Sequence, residues 1–209
     1  MRKHRFLYYL FCVVFLGQLM SFRKSDDVLT KFFNQAELKT IEKIIQFYDD
    51  YVVLQTDNQL PIDKAYIAYL EKMKTSIKKA DDFDKFLPLI EDRIEFYKTL
   101  DKKILSEFYD IKDTLRIRFR GENEPNIVYS PYSFDLNLNG KYYDFIKELS
   151  LRNDFFKNYY ETIQVAGDIA PTIYPLIIYE NNKIDFDNRE ERLVIIISLL
   201  RLGKTIYRE

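Results

Sequence analysis

The stretch that most limits what this chain can become is residues 6–20, Phe-Leu-Tyr-Tyr-Leu-Phe-Cys-Val-Val-Phe-Leu-Gly-Gln-Leu-Met. It is an uncharged apolar run directly behind Arg2-Lys3-His4-Arg5. A positive start followed by about 7–15 apolar residues is the pattern of an export signal. A bilayer-spanning helix needs about 20 such residues, and continuing through Ser21 and Phe22 reaches only the low end of the usable range. The small residues that a signal peptidase requires are scarce: Gly17 and Ser21 are at hand, but Leu19 sits poorly for cleavage after Ser21. An uncleaved anchor, with Arg2, Lys3 and Arg5 on the cytoplasmic side, therefore stays open. A lipid on Cys12 would leave too short an apolar region before it. A buried N-terminal helix of the globule is the other reading, but the abrupt polar shift at Arg23-Lys24-Ser25-Asp26-Asp27 suits targeting better. The expected organisation is an export signal or N-terminal membrane anchor over residues 1–22, a linker over 23–33, and one helix-rich globular domain over 34–209.

That reading removes whole classes of chemistry. The only His is His4 and the only Cys is Cys12, both inside the apolar start or its basic lead. The remainder of the chain cannot form an internal disulfide, although an exporting compartment would permit one. It lacks the His and Cys of the usual zinc sites and the imidazole of Ser-His-Asp or Cys-His nucleophile systems. Its glycines form no P-loop or dinucleotide-binding loop. Carboxylates, Lys, Tyr and Arg remain for any catalysis.

The charge balance narrows the partners. The chain carries 32 basic and 33 acidic residues, and three of the basic ones precede residue 6, so the rest is mildly acidic. Nucleic-acid binding requires a basic footprint, and none is expected here. About 190 residues beyond the apolar start are enough for one domain with a real core. Tyr and Phe number 17 each while Trp is absent. A sugar-stacking surface is one reading of that, and the codon bias of an A/T-rich genome is the plainer one.

Periodicity then sets the fold class. Asn34 with Glu37 three residues on resembles a capping box. Leu38, Ile41, Ile44, Ile45, Tyr48 and Val52 follow at helical spacing, with Lys39, Glu42 and Lys43 outside. Pro61 opens a second helix whose buried face is Ile62, Ala65, Tyr66, Tyr69, Leu70, Met73 and Ile77. Residues 89–100 and 102–109 also read as helical. At Thr114 the period changes. Leu115-Arg116-Ile117-Arg118-Phe119-Arg120 alternates strictly, as a half-buried strand does, and residues 127–138 could pair back, with Pro131 confined to an edge or a bulge. Helical spacing returns with Tyr142, Phe145, Ile146 and Leu149, then with Phe155, Phe156, Tyr159, Tyr160 and Ile163, ending near Gly167. Residues 168–175 form a Pro-punctuated connection, with a short helix through Tyr179. Residues 193–200, Leu-Val-Ile-Ile-Ile-Ser-Leu-Leu, are apolar all round, as suits a helix in the middle of a bundle; a buried strand is the alternative. The expectation is a mainly α, single-domain helical bundle with a small inserted β-hairpin at about residues 114–138.

Candidate binding residues come from that hairpin. Arg116, Arg118 and Arg120 would project from one strand face about 7 Å apart, and each guanidinium can grip a carboxylate or phosphate at two points. Tyr129, Tyr132 and Phe134 follow on the return strand. Together they could hold an anionic polymer or a partner's acidic edge, or they form a solvated strand face with Glu122 and Glu124 as counter-charges. The oxygen-rich run from Glu180 to Glu191 resembles a calcium loop in composition, but Arg189 and Glu190 break the EF-hand spacing; a turn and helix cap explain it. Asp49-Asp50 and Asp81-Asp82 could feed a two-carboxylate glycosidase, yet neighbouring acids on a helix point apart. No catalytic residue, metal or cofactor is assigned.

The function expected is an exported, envelope-associated helical protein, on the periplasmic or extracellular side of the membrane. Its role would be non-catalytic binding of a protein or an anionic envelope component. A carboxylate-based hydrolase acting on envelope polysaccharide is the first alternative. A subunit of a larger assembly, tethered to the membrane through residues 6–22, is the second.

Overall fold

A computed structural model describes residues 27–79, 84–117, 126–168 and 173–201. Their architecture is mainly α with one two-stranded antiparallel hairpin. Helix α1 (Leu29–Phe32) leads into α2 (Gln35–Gln55) and α3 (Ile62–Lys78). After a 3-10 turn at Asp84–Phe86 come α4 (Ile90–Lys98), α5 (Lys102–Leu105), β1 (Tyr109–Ile117) and β2 (Asn126–Leu136). Then follow α6 (Lys141–Leu149), α7 (Asp154–Ala166), α8 (Ile173–Tyr179), a 3-10 turn at Asn181–Lys183, and α9 (Arg189–Arg201).

Helix α9 is the axis. Leu193, Val194, Ile195, Ile196, Ile197, Leu199 and Leu200 are all buried, so the apolar run is a central helix and not a strand. Its fully buried Ser198 is satisfied: its Oγ donates to the Val194 carbonyl at 2.8 Å and lies 2.8 Å from the Tyr159 hydroxyl. Helices α2 and α8 pack on α9, α3 on α2 and α8, and α7 on α6. Each presents a stripe at helical spacing. Leu38, Ile41, Ile44, Ile45, Tyr48 and Val52 of α2 are buried, as are Phe155, Phe156, Tyr159 and Ile163 of α7.

The helix ends follow local chemistry. Asn34 Oδ1 accepts from the Ala36 and Glu37 amides at 2.9 and 3.1 Å, while Glu37 Oε2 accepts from the Asn34 amide at 2.8 Å. Both halves of the capping box are present. Pro61 stands just before α3, and Pro175 sits in the first turn of α8, where its missing N–H costs nothing. Gly167 ends α7 in the left-handed region at φ 73°.

Three boundaries differ from the sequence expectations. Residues 27–33 are part of the globule and not a linker. Val28, Leu29 and Phe33 are buried, and Phe33 stacks on Phe108 at 5.7 Å. The hairpin starts at Tyr109, not 114, and the helix expected over 102–109 stops at Leu105. Extended backbone there lets the buried Tyr109 hydroxyl donate to the Ile197 carbonyl at 3.1 Å, a contact that helical periodicity cannot anticipate. The register shifts between Lys112, opposite Ser133, and Thr114, opposite Tyr129. Pro131 falls in that irregularity, one of the places in a sheet that tolerates a residue without an N–H.

Candidate functional site

Only part of the cluster expected from the sequence lies within the described residues. Arg116 lies in β1 opposite Ile127, and Tyr129 lies in β2 opposite Thr114. Tyr132 falls within the register irregularity. Arg118, Arg120, Glu122 and Glu124 lie outside the described residues. Phe134 belongs elsewhere: its ring packs on Tyr97 at 4.6 Å and Tyr109 at 5.3 Å, which makes it part of the aromatic core.

The carboxylate candidates are engaged in structure. On α2, Asp49 turns inward and Asp50 is exposed, so the pair does point apart. Asp49 accepts from the Tyr66 hydroxyl at 2.7 Å and lies 3.4 Å from Arg192 Nε. Burial nevertheless holds its carboxyl above the usual range, against the pull of those two partners. Asp81 and Asp82 lie outside the described residues. The oxygen-rich loop spends its acceptors locally. Asn188 Oδ1 caps the Glu190 amide at 2.8 Å, Asp185 Oδ1 accepts from the Asp187 amide at 3.0 Å, and Glu191 Oε2 accepts from the Asp185 amide at 2.8 Å. Among the described residues no three His, Cys, Asp or Glu side chains are grouped to hold a metal.

Glu190 is the carboxyl furthest from its ordinary behaviour. It is 3% exposed, and burial, with the neighbouring Asp27 carboxyl, pushes it up from 4.5 to about 7. One of its oxygens accepts from the Val28 and Leu29 amides. A glycosidase needs its acid and its second carboxylate on either side of an open substrate site, whereas Glu190 is buried and the half-buried Asp27 lies directly against it.

An open groove of about 480 Å³ runs between α2 and α4, lined by Phe47, Tyr51, Pro88, Asp92, Glu95, Phe96 and Thr99. Phe47 and Phe96 stack at 4.0 Å with ring planes 5° apart, which joins the two helices and floors the groove. Tyr51 meets Tyr69 edge-on at 6.4 Å, and half-burial pushes its hydroxyl up to about 12. Two exposed leucines neighbour these lining residues along the chain. Leu54, 80% exposed, lies one helical turn beyond Tyr51 on the same face of α2, and Leu89, 68% exposed, follows Pro88. Asp92 and Glu95 are exposed on the α4 side. Glu95 has the exposed Lys98 at 2.6 Å, a pair that water screens and that contributes little. Arg93 turns the other way: it is buried and donates to the Leu200 carbonyl at 2.8 Å, pinning α4 to the C-terminal end of α9.

The groove residues carried a sequence signal that the hairpin arginines drew attention from. Phe47, Tyr51 and Leu54 recur at helical spacing as a second apolar stripe on α2, offset from the buried one. A second, basic cleft of about 480 Å³ lies along α3 beside Lys72, Thr75, Ser76, Lys79 and Lys85. There Lys72 Nζ donates to the Gln55 carbonyl and Glu71 pairs with Lys74 at 2.8 Å. No protein-family model matches this chain, and no curated protein or solved structure matches it.

Proposed function

We propose that this chain is an exported, envelope-associated helical protein with a non-catalytic binding role. The α2/α4 groove is where it takes hold of a protein partner. The observation that carries this reading is the groove itself: an aromatic floor and an acidic rim, with an exposed leucine next to its lining residues on each side along the chain. Large exposed apolar side chains gathered beside one groove mark an interaction surface more often than scattered ones do. The occupant that fits is an apolar-faced segment carrying Lys or Arg, laid along the groove so that its cations meet Asp92 and Glu95. An anionic polymer would meet like charge there. The export part of the reading rests on the basic-led apolar start, and the non-catalytic part on the absence of His and Cys after it. A tether through residues 6–22 is compatible with the same binding role. Among the described residues, no helix is long and apolar enough to cross a membrane.

The test is site-specific photo-crosslinking in the native envelope, with the crosslinker at Leu54 or Leu89 and, as a control, at the remote exposed Val165. The expected result is a discrete crosslinked protein from the first two positions whose crosslinked segment is rich in Lys or Arg. Asp92→Lys with Glu95→Lys should abolish it. Crosslinks no stronger than at the control position, or crosslinks indifferent to the charge reversal, would refute the groove as the binding site.

A further inference from the structure

The strongest unexplained feature lies where residues 27–33 meet the last helix. Glu190, in the first turn of α9, is buried, and its Oε1 accepts from the Val28 and Leu29 amides, the latter at 3.3 Å. Those amides open α1 and have no partner within it. Asp27 Oδ2 accepts from Arg189 Nη2, and the same guanidinium donates through Nη1 to Glu42. This leaves two oxygens, Asp27 Oδ1 and Glu190 Oε2. Both are buried, and neither receives a hydrogen bond from any donor group placed in the structure. The side chains that carry them interact directly with each other.

Two ionised carboxylates are acceptors only, so they cannot satisfy one another. Buried oxygens left in that condition are strongly destabilising. A single proton resolves both deficits at once, because a protonated carboxyl donates and an ionised one accepts.

We propose that Asp27 and Glu190 share one proton, and that this proton latches residues 27–33 onto α9, so that losing it to solvent loosens the segment. The proton lies between Glu190 Oε2 and Asp27 Oδ1, while Arg189 Nη2 donates to the other Asp27 oxygen. The other charged groups facing the pair are few. Arg152 Nη1 lies 3.6 Å from Glu190 Oε2, too far for a hydrogen bond, and it favours the ionised form. Glu42 opposes it through the shared Arg189. Lys31 on α1 is paired with Glu148 of α6 at 2.8 Å and does not face the carboxyls.

Once the proton leaves, two adjacent buried negative charges repel, and the segment is held chiefly by its apolar contacts. Those contacts are Val28, Leu29 and Phe33, the last stacked on Phe108 and edge-on to Phe145 at 6.5 Å. Opening uncovers that aromatic slot. This inference does not depend on the α2/α4 groove.

Amide hydrogen exchange of the full chain in mild detergent tests it, following residues 29–33 between pH 5 and pH 8 with the intrinsic pH dependence of exchange divided out. The raised Glu190 carboxyl sets the scale. Opening of this segment should rise on the order of 50–100-fold across that range, while α2 amides stay unchanged. Glu190→Gln keeps an oxygen for the two amides and supplies an N–H toward Asp27. It should hold protection at pH 8 and flatten the profile. Asp27→Asn supplies the missing hydrogen from the other side and should also flatten the profile, which keeps the test usable if the first variant folds poorly. A wild-type profile that changes less than about threefold would overturn the latch. So would Glu190→Gln and Asp27→Asn variants that retain the wild-type pH dependence.

Discussion

The tyrosine relay between α2 and α3 makes a sharp prediction, because its direction can be read from the geometry. Tyr69 donates to the Phe86 carbonyl. Its single hydroxyl hydrogen is then spent, so the contact at 2.9 Å between Tyr48 and Tyr69 must be a donation from Tyr48. Both tyrosines are fully buried. Tyr48→Phe therefore removes one bond and strands no donor, at a cost of about 1 kcal/mol. Tyr69→Phe removes two bonds and leaves the Tyr48 hydroxyl and the Phe86 carbonyl without these partners, at about 2–3 kcal/mol. Adding Tyr48→Phe to Tyr69→Phe takes the orphaned hydroxyl away. The double variant should then be no less stable than Tyr69→Phe alone, giving a coupling of about 1 kcal/mol or more. The assay is urea unfolding followed by far-UV circular dichroism, with a thermal melt beside it. For a chain of this size Tyr69→Phe should lower Tm by roughly 5–10 °C. Equal losses for the two single variants, or strict additivity, would refute the assigned direction. The relay also bears on the groove, because Phe86 is two residues before Pro88 in its wall.

Two further outcomes follow. A Cβ at Gly140 would lie 2.2 Å from the Glu107 carbonyl oxygen, a backbone atom with little freedom to move; Gly140→Ala should cost about 2 kcal/mol or more in urea unfolding, and a loss under 0.5 would contradict this close packing of the turn before α6. Burial raises Glu190, to about 7, and also Asp49 and Glu191, so between about pH 4.5 and 7 the folded chain binds more protons than the unfolded one and stability must fall as pH rises, with Glu190 contributing up to about 3 kcal/mol. Lowered carboxyls such as Glu37 and Glu71 pull the other way only as pH drops below their ordinary range. Melting should therefore peak on the acid side of neutrality, and a wild-type Tm highest at pH 8 would show the sign to be wrong.

The contrast between residues 193–200 and residues 102–109 shows where local pattern stops. A run that is apolar but for Ser198, flanked by Glu190-Glu191 and Arg201, reads as an element buried on every side, so its central place was legible, while helix and strand stayed open until the structure showed α9. The helical stripes of α2, α6 and α7, the Asn34 capping box and the stop at Gly167 were legible for the same reason. Their determinants lie within one or two turns of chain. Phe108 and Tyr109 fit a helical stripe equally well, and what places Tyr109 in a strand is a carbonyl 88 residues away.

By itself the sequence determined the mainly α class, most of the helix faces, and the absence of His and Cys beyond the apolar start. Those are properties of composition and short-range period. Only the tertiary structure decided that residues 27–33 belong to the core, that Phe134 faces inward, and that Phe47 and Phe96 meet to floor a groove. It also set Asp27 against Glu190. Each of these depends on which two distant segments touch, and side-chain proximity across 50 or 160 residues leaves no mark on local spacing.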